Sequence, residues 1–567
     1  MGGGKVVISL VSLILLVGVI VGVVVVVHKN GDKYDNKSTN VQKKKVDEFC
    51  QPAAYKDACV KSLDKVENNE TATMKDYIMA AFDATVEEIK KSLHETGKTN
   101  VDKDKDPYNH MALEDCKELL QYAIEELEST LKVVTENEMK SLQEKVYDIL
   151  NWISAVYSYQ SECIDAFDKP EYKSIIEKGL VNATQLTNNA IDIVAKISSA
   201  LQGSIWSNFQ IPDGFTNRKL LEANYQMGQD RYPTWFPAAD RKLLVDSPMP
   251  HAIVAKDGSG KYTSVVEAIK AYPDKHQGKY IVYIKAGEYN EQVIIDKKQP
   301  NVFIYGDGAG KTIISSDKNV YIAKYTTSNS ATFSALGQGF IAKGITFRNT
   351  AGPQGQQAVA LRIQGDLSAV FGCNIEGYQD TLYYQTHRQF YRNCVISGTI
   401  DFIFGRGTAV IQDSTIIMRK PGDGQKWNTI TADGRELHNQ PTGVVLQNCK
   451  ITAENELLST KIVENYLGRP WKLYSTNVVM ESEIGDFIKP EGWMIWAEQK
   501  YHETCECYEY GNKGPGATIN ARNKLFKNFK ILSQEEATKY TAGAVWFRGN
   551  EWLPGTGAPF YLGLGGK

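Results

Sequence analysis

The chain has 567 residues, 42% hydrophobic and 23% charged, with a formal net charge of −3. That length predicts two or three domains rather than one, and the composition is that of a globular protein, not a disordered or fibrous one. The charge is unevenly divided. From Val245 onward there are 35 Lys+Arg against 31 Asp+Glu, net +4, which leaves the preceding part at net −7. A mildly basic C-terminal part suits an acidic partner, while the absence of a long basic run argues against nucleic acid.

Val6 to Val27 form a run of 22 mostly apolar residues, long enough to span a bilayer. Residues 1–30 are therefore expected to be a membrane anchor, with a cleaved signal peptide as the alternative. Nine cysteines and the sequons at Asn36, Asn69 and Asn182 point to the secretory route. A Lys-, Asp- and Asn-rich stalk follows the apolar run. Residues 45–205 then repeat apolar positions at three and four, as in CKELLQYAIEELESTLKVV, which predicts amphipathic helices. This part holds Cys50, Cys59, Cys116 and Cys163. Two disulfides are expected, and three pairings remain open.

Residues 206–244 lose the periodicity and read as a linker. It carries Arg218-Lys219-Leu220-Leu221 and Arg241-Lys242-Leu243-Leu244, two dibasic sites open to a processing protease of the secretory pathway. Residues 245–567 change to short β-rich runs broken by Gly, Asn and Asp. Four of these runs align: FGCNI, YRNCVI, IQDSTI and LQNCKI. Cys373, Cys394, Ser414 and Cys449 fall in register at intervals of 21, 20 and 35. Gly344 of KGITF is placed in the same slot, 29 residues before Cys373. A base interval near 20 with variable insertions predicts a parallel β-helix rather than an antiparallel sandwich.

The repeat has a chemical consequence. Asp380 follows Cys373 by seven residues and Asp401 follows Cys394 by seven. Equivalent positions on successive coils lie about 4.8 Å apart, so the two carboxylates resist joint ionisation, one becoming an acid and the other a nucleophile or base. Gln357 and Gln379 supply carboxamide donors for a developing oxyanion, and Arg469 can pair with a carboxylate. Trp471, Trp493 and Trp496 offer flat faces for sugar rings. The histidines have no metal-ligand spacing, no GxSxG elbow is present, and GDGAG (Gly306 to Gly310) lacks the Lys-Ser/Thr of a phosphate loop and reads as a turn. Cys505 and Cys507 could pair with each other or elsewhere.

The motifs GEYNE, QAVALR, GYQDTLY, DFIFG and LGRPW, in this order, resemble those of plant pectin methylesterases that carry a pro-region. The helical part, with WISAVYSYQSECIDAF, resembles the invertase and pectin methylesterase inhibitor domain. The resemblance implies an all-α four-helix bundle followed by an all-β right-handed parallel β-helix. It implies Cys50–Cys59 and Cys116–Cys163 disulfides, Asp401 as nucleophile, Asp380 as acid and then base, and Gln357 and Gln379 as oxyanion donors. Thr327, Gln357, Arg469 and Trp471 are implied to contact substrate. No metal or organic cofactor is implied. Methyl-esterified pectin is the implied partner, with a proteinaceous inhibitor as a second, and the implied course is a membrane-anchored precursor cut at the basic sites, its mature form secreted to the cell wall. Where the family usually has a cysteine, Ser414 stands, which puts the stability of that stack in question. A β-helix glycosidase or lyase, and a non-catalytic inhibitor or wall-binding protein, are the competing expectations. The helical half, resembling an inhibitor and tethered to the esterase, is expected to restrain it until the linker is cut.

Overall fold

The structure is a computed structural model that describes residues 46–208 and 249–565, apart from residues 68, 70, 138 and 461. The apolar run at 6–27, Asn36, and the linker with Arg218, Lys219, Arg241 and Lys242 lie outside the described residues. Among the described residues, no helix is long and apolar enough to cross a membrane.

The first half is built on four long helices: α1 (Met74–Gly97), α2 (Pro107–Glu136), α3 (Val146–Asp165) and α4 (Pro170–Asn208). α4 passes residue 205, where the sequence pattern places the end of the helical part. Capping fixes the starts of α1 and α2. Thr73 and Asp76 form a reciprocal capping box, and Asp106 accepts from the Asn109 N–H beside Pro107 at the first turn. Each helix packs on two others, burying an apolar stripe that includes Phe82, Leu120, Ile153, Tyr159 and Ile191. Disulfides join Cys50 to Cys59 and Cys116 to Cys163, the second tying α2 to α3.

From Ala252 every strand pair is parallel, and each coil contributes one strand to each of three sheets. This is a right-handed parallel β-helix. The sheet that matters for function runs through β1 (Val293–Ile295), β2 (Phe333–Ala335), β3 (Leu361–Ile363), β4 (Leu382–Tyr384), β5 (Ile403–Gly405), β6 (Trp427–Asp433) and β7 (Glu464–Gly468). Alternation of side chains along a strand sends every second residue inward. Stacking of coils turns those residues into ladders, one of which reads Phe347–Ile375–Ile396–Ile416–Ile451–Ile484, all at most 2% exposed. This interior is a separate apolar core from that of the helices.

The register aligns Cys373 with Cys394, Ser414 and Cys449, because Asn374 pairs Val395, Val395 pairs Thr415 and Thr415 pairs Lys450. Gly344 is one position off. Thr346 pairs Asn374, so Ile345 lies under Cys373 and Gly344 under Gly372. Both glycines have positive φ, +63° and +61°, so they are the turn that precedes the slot rather than the slot itself. Cys373, Cys394, Cys449, Cys505 and Cys507 are buried free thiols. The thiols of Cys505 and Cys507 lie 3.9 Å apart without a bond. Ser414 is fully used: its hydroxyl accepts from the Cys394 N–H at 3.1 Å and donates to the Gln412 carbonyl at 2.9 Å. Ser414→Ala strands a buried N–H and is expected to destabilise the β-helix by about 1–3 kcal/mol. Urea unfolding measures it, and an unchanged midpoint and slope would show that the hydroxyl contributes nothing.

Candidate active site

The outward row of the functional sheet forms the floor of a groove. Arg362, Tyr383, Phe404 and Ala432 pair across β3, β4, β5 and β6. Tyr383 and Phe404 stack at 4.3 Å between ring centroids, and Trp471 meets Phe404 edge-on at 6.0 Å. The pairs Leu382–Ile403 and Tyr383–Phe404 carry back to the preceding turns, where Asp380 lies beside Asp401 one coil away. Both have positive φ, +61° and +49°, a region that Asp tolerates and that is often held at functional sites. Gln357 and Gln379 form their own parallel bridge just before.

Asp401 is held from three directions. Arg469 donates to it through Nε at 2.8 Å and Nη2 at 2.6 Å, a two-pronged pair. The Thr429 hydroxyl donates to Oδ1 at 2.6 Å and accepts from the Asp401 N–H at 2.9 Å. Arg469 is itself clamped between Trp496, 3.9 Å from its guanidinium carbon, and Trp427, at 4.4 Å. Asp380 lies apart from these donors. Burial, then the charge of Asp401, pushes it well above the usual carboxylate range, and Arg469 only partly opposes this. Asp380 is thus a neutral acid near neutral pH beside a carboxylate held by a cation.

Gln357, Gln379, Asp380, Asp401, Arg469, Trp471 and Thr327 all line one cavity of about 450 Å³. Trp496 also lines it, whereas Trp493 does not. Trp493 is 1% exposed and its Nε1–H donates to Glu509 inside the core, so its aromatic face is structural. Thr429, Trp427 and the stacked Tyr383 and Phe404 have no signal in the five motifs; they enter only through register with motif residues on neighbouring coils. GDGAG is a turn in which Asp307 accepts from the Ala286 N–H at 2.6 Å and the Tyr283 hydroxyl at 2.6 Å. Among the described residues no group of three or more His, Cys, Asp or Glu is arranged to hold a metal.

The helical half closes the cavity: Tyr108, Asp115 and Leu119 of α2 and Glu162 and Asp165 of α3 complete its lining. On α2, Asp115 accepts from Asn329 Nδ2 at 2.6 Å, and Glu126 faces His387 at 3.4 Å and Lys297 at 3.4 Å. On α3, Asp148 pairs Arg388 at 2.6 Å and Arg548 at 2.8 Å, and Asp165 pairs Arg406 at 2.6 Å and Lys472 at 2.7 Å. Each of these pairs puts the acid on the helical half. Burial raises Glu162, and Arg406 offsets that only in part. Burial acts the same way on Asp165, but Arg406 and then Lys472 outweigh it and hold Asp165 well below the carboxylate range.

A stacked carboxylate pair with flanking carboxamides on a parallel β-helix defines a carbohydrate-esterase type of site, and similarity to known proteins agrees. The pectinesterase family profile matches residues 251–550, and that of the plant invertase/pectin methylesterase inhibitor matches residues 44–193. Pectinesterase 4 of Arabidopsis thaliana is 40% identical over 99% of this chain and 100% of its own length. A probable pectinesterase/pectinesterase inhibitor of Brassica napus is 39% identical over the full length of both. Among solved structures, a pectin methylesterase from carrot is 46% identical, with a TM-score of 0.54, and covers 56% of this chain and 98% of its own. The chain belongs to the pectinesterase family, as a pectin methylesterase with an inhibitor-type helical domain ahead of the catalytic one. Because the carrot protein consists almost wholly of the part matched here, and the β-helix has its own core, the 245–567 part is a self-sufficient folding unit.

Removing Asp165 from the seam leaves Arg406 and Lys472 buried around Glu436 alone. Asp165→Asn is expected to weaken binding between separately prepared 46–208 and 245–567 parts about 10-fold or more. Titration calorimetry reads the change, and an unaltered affinity would remove Asp165 from the docking account.

Proposed function

We propose that this esterase removes methyl groups from pectin through a covalent acyl-enzyme on Asp401, with Asp380 moving the protons. The observation that carries the assignment is the pair itself: adjacent coils, one carboxylate in the two-pronged grip of Arg469 and the other raised by burial and by its neighbour. An Asp401 oxygen attacks the carbonyl carbon of the methyl ester, and the carbonyl oxygen takes up negative charge within reach of the Gln357 and Gln379 amides. The Gln357 Oε1 is a buried acceptor without a protein partner. As the tetrahedral centre collapses, neutral Asp380 gives its proton to the departing methoxy oxygen and methanol leaves. Asp380, now a carboxylate, takes a proton from water, whose oxygen attacks the acyl carbon. The free uronate departs, Asp401 is regenerated and Asp380 is again neutral. Thr429 and Arg469 act on Asp401 as positioning groups, and Trp471 and Thr327 lie where the polysaccharide would rest.

The same reading covers the life of the chain. A precursor carrying the 1–30 segment as a membrane anchor enters the secretory route, a protease cuts the 206–244 linker at the basic sites, and the catalytic half acts in the cell wall. Two independent cores support separation of the halves, and the acid-on-base seam supports a latent state before it. The helical coverage of the groove favours a restrained enzyme over a purely inhibitory protein, since Asp380, Asp401 and Arg469 remain assembled beneath it.

Asp401→Asn in the 245–567 part is expected to abolish methanol release while pectin binding stays within about 3-fold, because an amide cannot form the acyl intermediate. Titrimetric or methanol assays decide. Turnover within a few-fold of the parent would rule out Asp401 as the nucleophile.

A further inference from the structure

The groove floor has a second polar cluster at the far end of the strands from the reacting pair. Gln385 and Arg406 follow β4 and β5 directly, as Asp380 and Asp401 precede them, so Tyr383 and Phe404 lie between. Gln385 is fully buried and Arg406 3% exposed. The occupant of this cluster is Glu162 of α3. Gln385 Nε2 donates to one oxygen of Glu162, and Arg406 Nη1 lies 3.7 Å from the other. Arg362 Nε donates to the Gln385 Oε1 at 2.7 Å, which turns the amide so that its N–H groups face the carboxylate. Arg362, 7% exposed, has no carboxylate within ion-pair distance among the described residues. Arg406 also lies flat on Trp471, its guanidinium carbon 4.2 Å from the ring centroid.

We infer that Gln385, Arg406 and Arg362 form a carboxylate-binding subsite for an unesterified uronate on the same polygalacturonate chain, and that Glu162 fills this subsite in the uncut precursor. The inference rests on the esterase reading and adds to it a preference among esters. With the helical half gone, Arg406 loses Glu162 and Asp165 and keeps only Glu436, at 3.3 Å. Lys472 loses Asp165 and is left with the same Glu436 at 3.7 Å. Two cations then share one carboxylate, with Arg362 behind them, in a walled groove where an arriving anion is held more strongly than in water. Five residues separate Asp401 from Arg406, at most about 17 Å of chain, so the bound carboxylate belongs to a nearby sugar and not to the one that reacts. An ester beside a free uronate is therefore the better substrate.

The test uses the 245–567 part with two polygalacturonates of one chain length, fully methylated and partly de-esterified, and reads kcat/KM per ester from methanol release. The parent is expected to favour the partly de-esterified polymer about 10-fold, the scale of one charge-assisted contact. Arg406→Gln and Gln385→Leu are each expected to bring that ratio below about 3-fold. Calorimetry with a short, fully de-esterified oligogalacturonate should show binding to the parent that weakens about 10-fold in each variant. Thermal unfolding verifies that both variants are folded, and because each acts on the ratio independently, loss of one to misfolding leaves the other to decide. A parent without preference, or variants that keep it, would overturn the subsite. A parent that binds the oligogalacturonate through Arg406 but releases no methanol from either polymer would sustain the subsite and overturn the esterase reading instead.

Discussion

Parallel stacking in strict register is the constraint on which the site depends. Hydrogen bonds between coils fix each residue over its counterpart about 4.8 Å away, and the 21-residue coil between Leu382 and Ile403 therefore places Asp380 beside Asp401. No flexible loop is needed to bring the two carboxylates together. The same registry sets Thr429 and Arg469, from the next coils, against Asp401, and it sets Gln357 against Gln379. A one-residue slip on any of these coils would turn a groove residue inward, so the apolar ladders inside the helix and the polar row outside it hold each other in place.

The second organising force is charge. Acids on one face of α2 and one face of α3 meet bases that rise from the β-helix. The net −7 and net +4 of the two parts are the coarse trace of this seam, but position matters more than total. Asp115 and Glu126 recur along α2, and Asp148, Glu162 and Asp165 along α3, at spacings that keep them on a common side of each helix. They reach the groove that carries the reacting pair, so latency and catalysis share a surface. In the docked state the buried cations of the groove are neutralised by the chain's own carboxylates, which makes the same groove suited to an acidic polysaccharide once those carboxylates leave.

Much of this was legible in the sequence. The near-20 repeat of polar-then-apolar units announced the coils, and equal offsets from Cys373 and Cys394 announced the carboxylate stack. The turn glycine of KGITF was misread by one residue, because a positive-φ Gly344 and the slot after it look alike without the hydrogen-bond register. Trp493 and Trp496 sit three apart in one segment, yet one is core and the other lines the groove, a difference that irregular backbone hides from pattern reading. Thr429 and Trp427 lie in a stretch with no motif, and only the fold brings them to Asp401 and Arg469. The interdomain seam was equally hidden: an acid on an amphipathic helix reads as a solvated face until its partner is known. Ser414 looked like a loss, but its hydroxyl serves the backbone of the neighbouring coil.

The central claim is that the helical half closes an otherwise complete esterase, and that charge holds it there. Methanol release by the purified uncut chain, compared at equal concentration with the 245–567 part across a range of salt, tests this most directly. The account predicts that the uncut chain is slower by about 10-fold or more at low ionic strength and that the gap narrows as salt screens the seam. Equal specific activities at low salt would contradict it.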